Sequence, residues 1–231
     1  MELTDSVYVF QFDTEYFGND RTWHPVGVET GRGIVLFDVG GPGDADKLEA
    51  AMEADGFSFD DVDKIVLTHH DYDHLGCLAE VYERASAEVV AHKKAAPYVT
   101  AEIRMLKRPE EPYPGVPVDL QLTDGERFQT SAGTVQAIFT PGHAPGHLVF
   151  YLKDAGVLIA GDLLRSDGEF LGGPKRSVTP DLATSRDAIG TLTELDVEQI
   201  VCFHGGPIEA TGADIQRVYD GLLAEVSGNA N

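Results

Sequence analysis

Short apolar runs alternate with polar, glycine-bounded segments along the whole chain. Val7–Phe10 reads as a strand, and Gly33–Asp38 as another, closed by Gly40-Gly41-Pro42-Gly43. Leu48, Ala51 and Met52 recur at helical spacing and predict a helix over about 44–55. Lys64–Thr68 predicts a strand that runs into a cluster of histidines and aspartates. From His74 to about Ala85 a helix is expected, with Leu75, Leu78, Ala79 and Tyr82 on one face. Glu88–His92 is a further strand.

The rhythm breaks over residues 97–118, which carry Pro97, Pro109, Pro112, Pro114 and Pro117. A loop of that length inside a compact fold points to a lid or a binding loop, and a short helix over 99–106 is one option within it. The second half repeats the first. Arg127–Thr130, Thr134–Phe139, His147–Leu152 and Gly156–Ala160 predict strands, residues 184–195 a helix, Gln199–Phe203 the last strand and residues 213–226 the last helix. Runs of strands with interleaved helices predict two sheets packed face to face with helices outside. No Pro/Gly/Ser linker separates the halves, so one domain over residues 1–231 is expected.

Composition narrows the partners. No stretch approaches the ~20 apolar residues needed to cross a bilayer, and Met1-Glu2-Leu3-Thr4-Asp5 lacks the basic region and apolar core of a signal peptide. A soluble, cytoplasmic protein is the expectation. Cys77 and Cys202 are too few for a disulfide framework and read as buried small side chains, with a thiolate ligand as the minor alternative. The 39 Asp plus Glu against 17 Lys plus Arg give a formal net charge of −22. Such a surface repels nucleic acid and anionic lipid, which leaves a small-molecule substrate as the expected partner. The oligomeric state is not readable. The acidic residues are dispersed rather than gathered in a tail, which predicts a halophilic protein adapted to salt that screens self-repulsion.

Candidate chemistry lies where apolar strands end. Within His69-His70-Asp71-Tyr72-Asp73-His74, five of six residues are of metal-ligand type, and an apolar strand leads straight into them. An exposed polar turn explains that poorly. Residues two apart in extended chain point the same way, so His69 and Asp71 can converge on one ion. Asp73 and His74, where the chain turns into a helix, can face a second. Imidazole and carboxylate suit zinc and also harder metals such as iron or manganese. In Thr140-Pro141-Gly142-His143-Ala144-Pro145-Gly146-His147, two Pro-Gly steps force turns. His143 is the better ligand candidate there, and His147 reads as a supporting or structural residue. Asp162 ends an apolar strand after Gly161; a metal-bridging carboxylate explains it, although such aspartates also cap helices. Cys202-Phe203-His204-Gly205-Gly206 again ends a strand in a histidine. Arg165, Lys175 and Arg176 are scarce positive charges near the third motif, for which a substrate anion and a solvated loop are equally good explanations.

In their order along the chain, these motifs resemble the metallo-β-lactamase-fold hydrolase superfamily over nearly the whole length, from Val7 to about Val226. The resemblance implies an α+β fold, the four-layer αββα sandwich. It implies a first metal held by His69, Asp71 and His143, a second held by Asp73, His74 and His204, and Asp162 bridging the two. Asp38 matches an early strand-end aspartate that supports the site without binding metal. The usual motif is His-x-His-x-Asp-His; here its second histidine is Asp71, and His70 takes the variable place, pointing away. An anion at that place makes the first site harder and raises iron or manganese relative to zinc.

The activity expected from the resemblance is hydrolysis of a small ester, thioester or lactone at a binuclear site. Two divalent metal ions, zinc first with iron or manganese as alternatives, would share a bridging hydroxide, and Asp73 would orient it and take a proton. The alternative is a non-hydrolytic, iron-dependent oxidoreductase resembling the sulfur dioxygenases. Nuclease activity fits poorly with the net charge, and Asp162 makes a true β-lactamase less apt, since those enzymes mostly carry Cys there.

Overall fold

A computed structural model describes residues 1–228. Its strands run β1 (Glu2–Thr4), β2 (Val7–Val9), β3 (Phe12–Tyr16), β4 (Asn19–Trp23), β5 (Val26–Thr30), β6 (Gly33–Phe37), β7 (Val62–Val66), β8 (Glu88–His92) and β9 (Leu120–Leu122) in the first half. The second half holds β10 (Arg127–Thr130), β11 (Gly133–Phe139), β12 (Leu148–Leu152), β13 (Val157–Gly161), β14 (Arg165–Ser166), β15 (Leu171–Gly172), β16 (Gln199–Cys202) and β17 (Gly206–Glu209). The helices are α1 (Ala45–Glu53), α2 (Tyr72–Leu75), α3 (Leu78–Ala85), α4 (Ala96–Val99), α5 (Leu182–Gly190) and α6 (Gly212–Gly228). One sheet has the order β1-β2-β5-β6-β7-β8-β9 and the other β10-β11-β12-β13-β16-β17. Strands β6 to β9 are mutually parallel, as are β13 and β16, so a crossover must join them. Helix α1 links β6 to β7, α3 lies between β7 and β8, and α5 lies between β13 and β16.

Period-two alternation assigns each strand's side chains to two layers. In β6, Val35 and Phe37 face the second sheet and meet Phe150, Leu152 and Ile159, while Ile34 and Leu36 face Leu48 and Met52 of α1 and Val81 of α3. The second sheet does the same: Leu158, Ala160 and Ile200 pack on Ile189 of α5 and Ile215 of α6. Three stacked apolar layers thus separate four structural layers, helix–sheet–sheet–helix, the sandwich that the resemblance implied. Each fully buried Val, Leu, Ile or Phe stabilises by roughly 1.5–3 kcal/mol, and the strand ends carrying ligand-type residues are the rim of this rigid stack.

Several elements escape the apolar-run reading. Phe12-Asp13-Thr14-Glu15-Tyr16 alternates correctly, Phe12 and Thr14 buried and Asp13 and Glu15 exposed, but its charges hide it. Strand β17 contains Pro207, tolerated because β17 is an edge. The helix expected over 99–106 instead occupies Ala96–Val99, since Pro97 suits a first helical turn, and Ala101 then adopts φ 59°. The helix expected from His74 breaks at Gly76. A Cβ there would lie 2.5 Å from Pro42 Cδ, so the chain must stay bare where the loop after β6 crosses it.

The β3–β4 hairpin stands apart from both sheets and is pinned by a buried carboxylate. Asp44 accepts from Thr14 Oγ1 at 2.5 Å, Trp23 Nε1 at 3.0 Å and Gly41 N at 2.9 Å, and pairs with Lys47 at 3.0 Å. Trp23 stacks on Phe203 with ring centroids 5.3 Å apart, which seats the hairpin beside His204. Among the described residues no helix is long and apolar enough to cross a membrane.

Candidate metal centre

The strands β7, β11, β13 and β16 all end at one edge of the sandwich, and each hands a polar residue to the loop beyond it. After β7 the chain stays extended through Asp71 (φ −71°, ψ 148°) and then enters α2. The extended stretch carries His69 and Asp71; the first helical turn carries Asp73 and His74. The four loops bring seven side chains together. Ligand-type atoms of His69, Asp71, His143 and Asp162 lie within 4.8 Å of one another, and so do those of Asp73, His74 and His204.

Asp162 spans the two groups. Its Oδ2 is 3.3 Å from His143 Nε2, while its Oδ1 is 3.2 Å from both His74 Nε2 and His204 Nε2. Asp71 Oδ2 lies 3.2 Å from His69 Nε2 and 3.0 Å from His143 Nε2, and Asp73 Oδ2 lies 3.3 Å from His204 Nε2. All seven residues singled out from the sequence therefore converge.

The surroundings set which ring nitrogen faces inward. Asp38, buried at 2% exposure, accepts from Thr68 N at 2.8 Å, Thr68 Oγ1 at 2.7 Å and His74 Nδ1 at 2.8 Å. Its backbone is left-handed at φ 59°, a strained place for a non-glycine residue. Because Thr68 Oγ1 spends its hydrogen on Asp38, it can only accept from His69 Nδ1, 3.0 Å away. Thr179 Oγ1 likewise donates to Lys175 O and accepts from His143 Nδ1 at 3.1 Å. With Nδ1 committed to these partners, it is Nε2 that each ring turns to the cluster, and in the neutral, metal-binding form that atom carries the lone pair. His147 accepts from Asp162 N through Nε2 at 3.1 Å and meets Thr140 Oγ1 through Nδ1 at 2.9 Å. It thus supports Asp162 from behind. Gly161 between them has φ 51°, and a Cβ there would lie 2.8 Å from His147 Nε2.

His70 stands outside both groups, stacked on Tyr98 with centroids 3.9 Å apart, and burial pushes its pKa down to about 4. Cys77 and Cys202 are buried and free, burial raises both thiols, and neither belongs to the two ligand-type groups.

The electrostatics call for cations. Burial opposes charge on His74, yet Asp38 and Asp162 hold its pKa well above the ordinary imidazole range. Burial works the same way on His204, and Asp162 with Asp73 lifts it to about 9. Asp71, against the effect of its burial, is held well below the carboxylate range by His69, His143 and Lys107. Asp162 is held low in the same way by His204 and His74. Meanwhile His69 Nε2, His74 Nε2 and Asp162 Oδ1 are buried without a hydrogen-bond partner. Buried polar atoms are rarely left so. An imidazole lone pair and a carboxylate oxygen aimed at shared space fit a divalent cation, and the donor set fits two.

Sequence reasoning missed residues with no motif to mark them. Thr68 and Thr179 orient rings, and only Thr68 has a positional cue, next to His69. Lys107, from the proline-rich loop, places its ammonium on Asp71 Oδ2 and 2.7 Å from His143 Nε2. Arg108 beside it lies over Phe17 at 3.6 Å and Tyr16 at 5.4 Å, joining that loop to the β3–β4 hairpin. Together they frame a cavity of about 640 Å³ that opens onto Asp71, Asp73, Asp162 and His204.

The chain is similar to known proteins. A family model described as Metallo-beta-lactamase superfamily matches residues 26–204. The chain is 28% identical over 202 residues to "Probable metallo-hydrolase YflN" of Bacillus subtilis, covering 76% of each chain. It is 29% identical over 127 residues to a "Hydroxyacylglutathione hydrolase" of Idiomarina loihiensis, covering 55% of this chain and 41% of that one. The crystal structure of a metallo-beta-lactamase family protein from Thermus thermophilus superposes with a TM-score of 0.74 at 25% identity, over 98% of this chain and 81% of the other.

Proposed function

The chain belongs to the metallo-beta-lactamase superfamily, and from that premise we propose a binuclear hydrolase of a small ester, thioester or lactone. The observation that carries the reading is Asp162, one carboxylate facing both groups of imidazoles while their inward atoms lack partners. His69, Asp71 and His143 would hold one divalent cation, and Asp73, His74 and His204 the other, with Asp162 shared. Two such ions would supply Lewis acidity and a water that ionises near neutral pH. The remaining work belongs to the chain. Asp73 lines the cavity as well as facing His204, so we assign it the proton of the attacking water. Asp38, Thr68 and Thr179 keep the rings aimed, and His147 with Gly161 keeps Asp162 in register. The relative named as a hydroxyacylglutathione hydrolase supports placing thioesters among the substrates to be tried.

Asp71 favours a second reading. A carboxylate in the first set suits iron or manganese better than a third imidazole would, which keeps an iron-dependent oxidoreductase in view. Elemental analysis of protein purified without added metal, followed by thioester, lactone, phosphodiester and β-lactam hydrolysis, separates the two. About two metal equivalents and metal-dependent hydrolysis are expected. Iron with oxygen uptake on a persulfide, and no hydrolysis, would replace this reading with the second.

We also infer halophilic adaptation from the dispersed net charge of −22. Stability measured by urea unfolding should rise as salt is added from low ionic strength, because screening weakens self-repulsion. A midpoint that does not move with salt would count against it.

A further inference from the structure

Charge is distributed against the grain at the cavity. The chain has more than two acidic residues for each basic one, yet Arg21, Lys107, Arg108, Arg165 and Lys175 all line this one space. They are five of seventeen lysines and arginines. The acidic residues lining it are Asp71, Asp73 and Asp162, each a member of the candidate metal groups.

Pairing outside the cavity is mixed. Arg32 is bound to Asp63, Lys64 to Glu88, Arg84 to Asp46 and Arg217 to Asp214, whereas Lys93, Lys94 and Lys153 have no ion pair among the described residues, so it is the gathering of cations in one cavity that stands out. Among the described residues, Arg108, Arg165 and Lys175 have no carboxylate within ion-pair distance. Arg108 is engaged by the rings of Tyr16 and Phe17. Arg165 and Lys175 have no such partner, and they reach the cavity from β14 and from the segment before α5. Lys107 comes from a third direction, the proline-rich loop, and spends its charge on Asp71 and His143. A divalent cation held by those two residues would take over that neutralisation and leave the ammonium for another anion. Among the described residues, Arg165 and Lys175 thus form a positive wall that no ion pair neutralises.

The remaining wall is apolar. Phe17 and Val178, 44% and 40% exposed, stand at the cavity beside Tyr16, Tyr72 and Met105. We propose that the substrate is an acyl compound with an apolar body and a carboxylate set away from the scissile bond, held by Arg165, Lys175 and Lys107. A planar carboxylate suits the guanidinium fork of Arg165. The overall negative field also favours a monoanion, since each added negative charge raises the cost of approach. This rests on the hydrolase reading above.

The test compares two esters of like size on the metal-loaded protein: the p-nitrophenyl monoester of glutaric acid, a monoanion, and neutral p-nitrophenyl butyrate. The ratio of their kcat/KM values should favour the monoanion about tenfold, and added NaCl should erode it. Arg165→Met and Lys175→Met should each lower the ratio roughly 3–10-fold, through KM for the anionic ester, in line with the net worth of one ordinary, solvent-accessible hydrogen bond. Lys64→Met, which removes a charge paired with Glu88, should leave the ratio where it was. Equal kcat/KM for the two esters, or a ratio indifferent to Arg165 and Lys175, overturns the proposal and leaves the hydrolase reading standing. If neither ester turns over, the hydrolase reading is decided by the wider substrate panel above, and binding decides this proposal. Calorimetry should show hexanoate binding more tightly than hexanamide, with the difference abolished in the Arg165→Met/Lys175→Met double variant. Equal binding, or a difference that survives the double variant, refutes it.

Discussion

Asp73→Ala is expected to lower kcat by about 10²–10⁴-fold, the range for removing a positioned proton acceptor, and to reduce bound metal from two equivalents towards one. Asp73 sits in the first turn of α2 with Oδ2 3.3 Å from His204 Nε2. It belongs to the second candidate group and also lines the cavity, so one substitution removes a proposed ligand and the proposed base. Asp73→Asn separates the roles: an amide oxygen can still approach a cation but cannot take the proton. Stability of the metal-free chain should change little, because the pairing of Asp73 with His204 is offset by its repulsion from Asp71 and Asp162. Near-normal turnover in a variant carrying two metal equivalents would remove Asp73 from the mechanism.

The second large effect concerns a residue that touches no substrate. Asp38→Ala should destabilise the protein by about 3–5 kcal/mol, as expected when one partner of a buried charged network is deleted. The loss strands Thr68 N and Thr68 Oγ1 and frees the His74 ring. It also places alanine at φ 59°, which aspartate and asparagine tolerate better. Asp38→Asn keeps the backbone and one acceptor, so its unfolding free energy should fall less. Its metal affinity should still drop about 10–100-fold, the usual effect of losing a carboxylate behind a ligating imidazole. Urea unfolding and competitive metal titration read the two quantities separately. Wild-type affinity in Asp38→Asn would mean that packing, not the carboxylate, aims His74.

These residues show what was legible in the sequence and what was not. The seven polar residues at strand ends were readable because burial needs a reason: a His or Asp delivered by an apolar strand into a tight turn has few structural explanations. The two sheets were readable from apolar alternation, since both faces of strands such as β6 are buried. The β3–β4 hairpin was not, because its strands carry charges outward and its inner polar residue, Thr14, is satisfied by Asp44, thirty positions away. Thr179 and Lys107 were invisible for the same reason. Each acts through a partner 36 residues distant, and nothing local in either segment encodes that encounter. Arg165 and Lys175 are visible in the sequence only as charges, because the carboxylates they fail to meet are set by the fold.

The seven converging side chains are divided between the two sheets: four follow β7 of the first, and three follow β11, β13 and β16 of the second. An ion coordinated from both sides is a rivet through the sandwich as well as a reagent. Ligation at the rim couples to the folding equilibrium of the whole stack, by about 4 kcal/mol when free metal stands at a thousand times its dissociation constant. Cellular metal supply would then govern how long each copy of the chain survives, and a starved cell would lose the protein itself along with its catalysis.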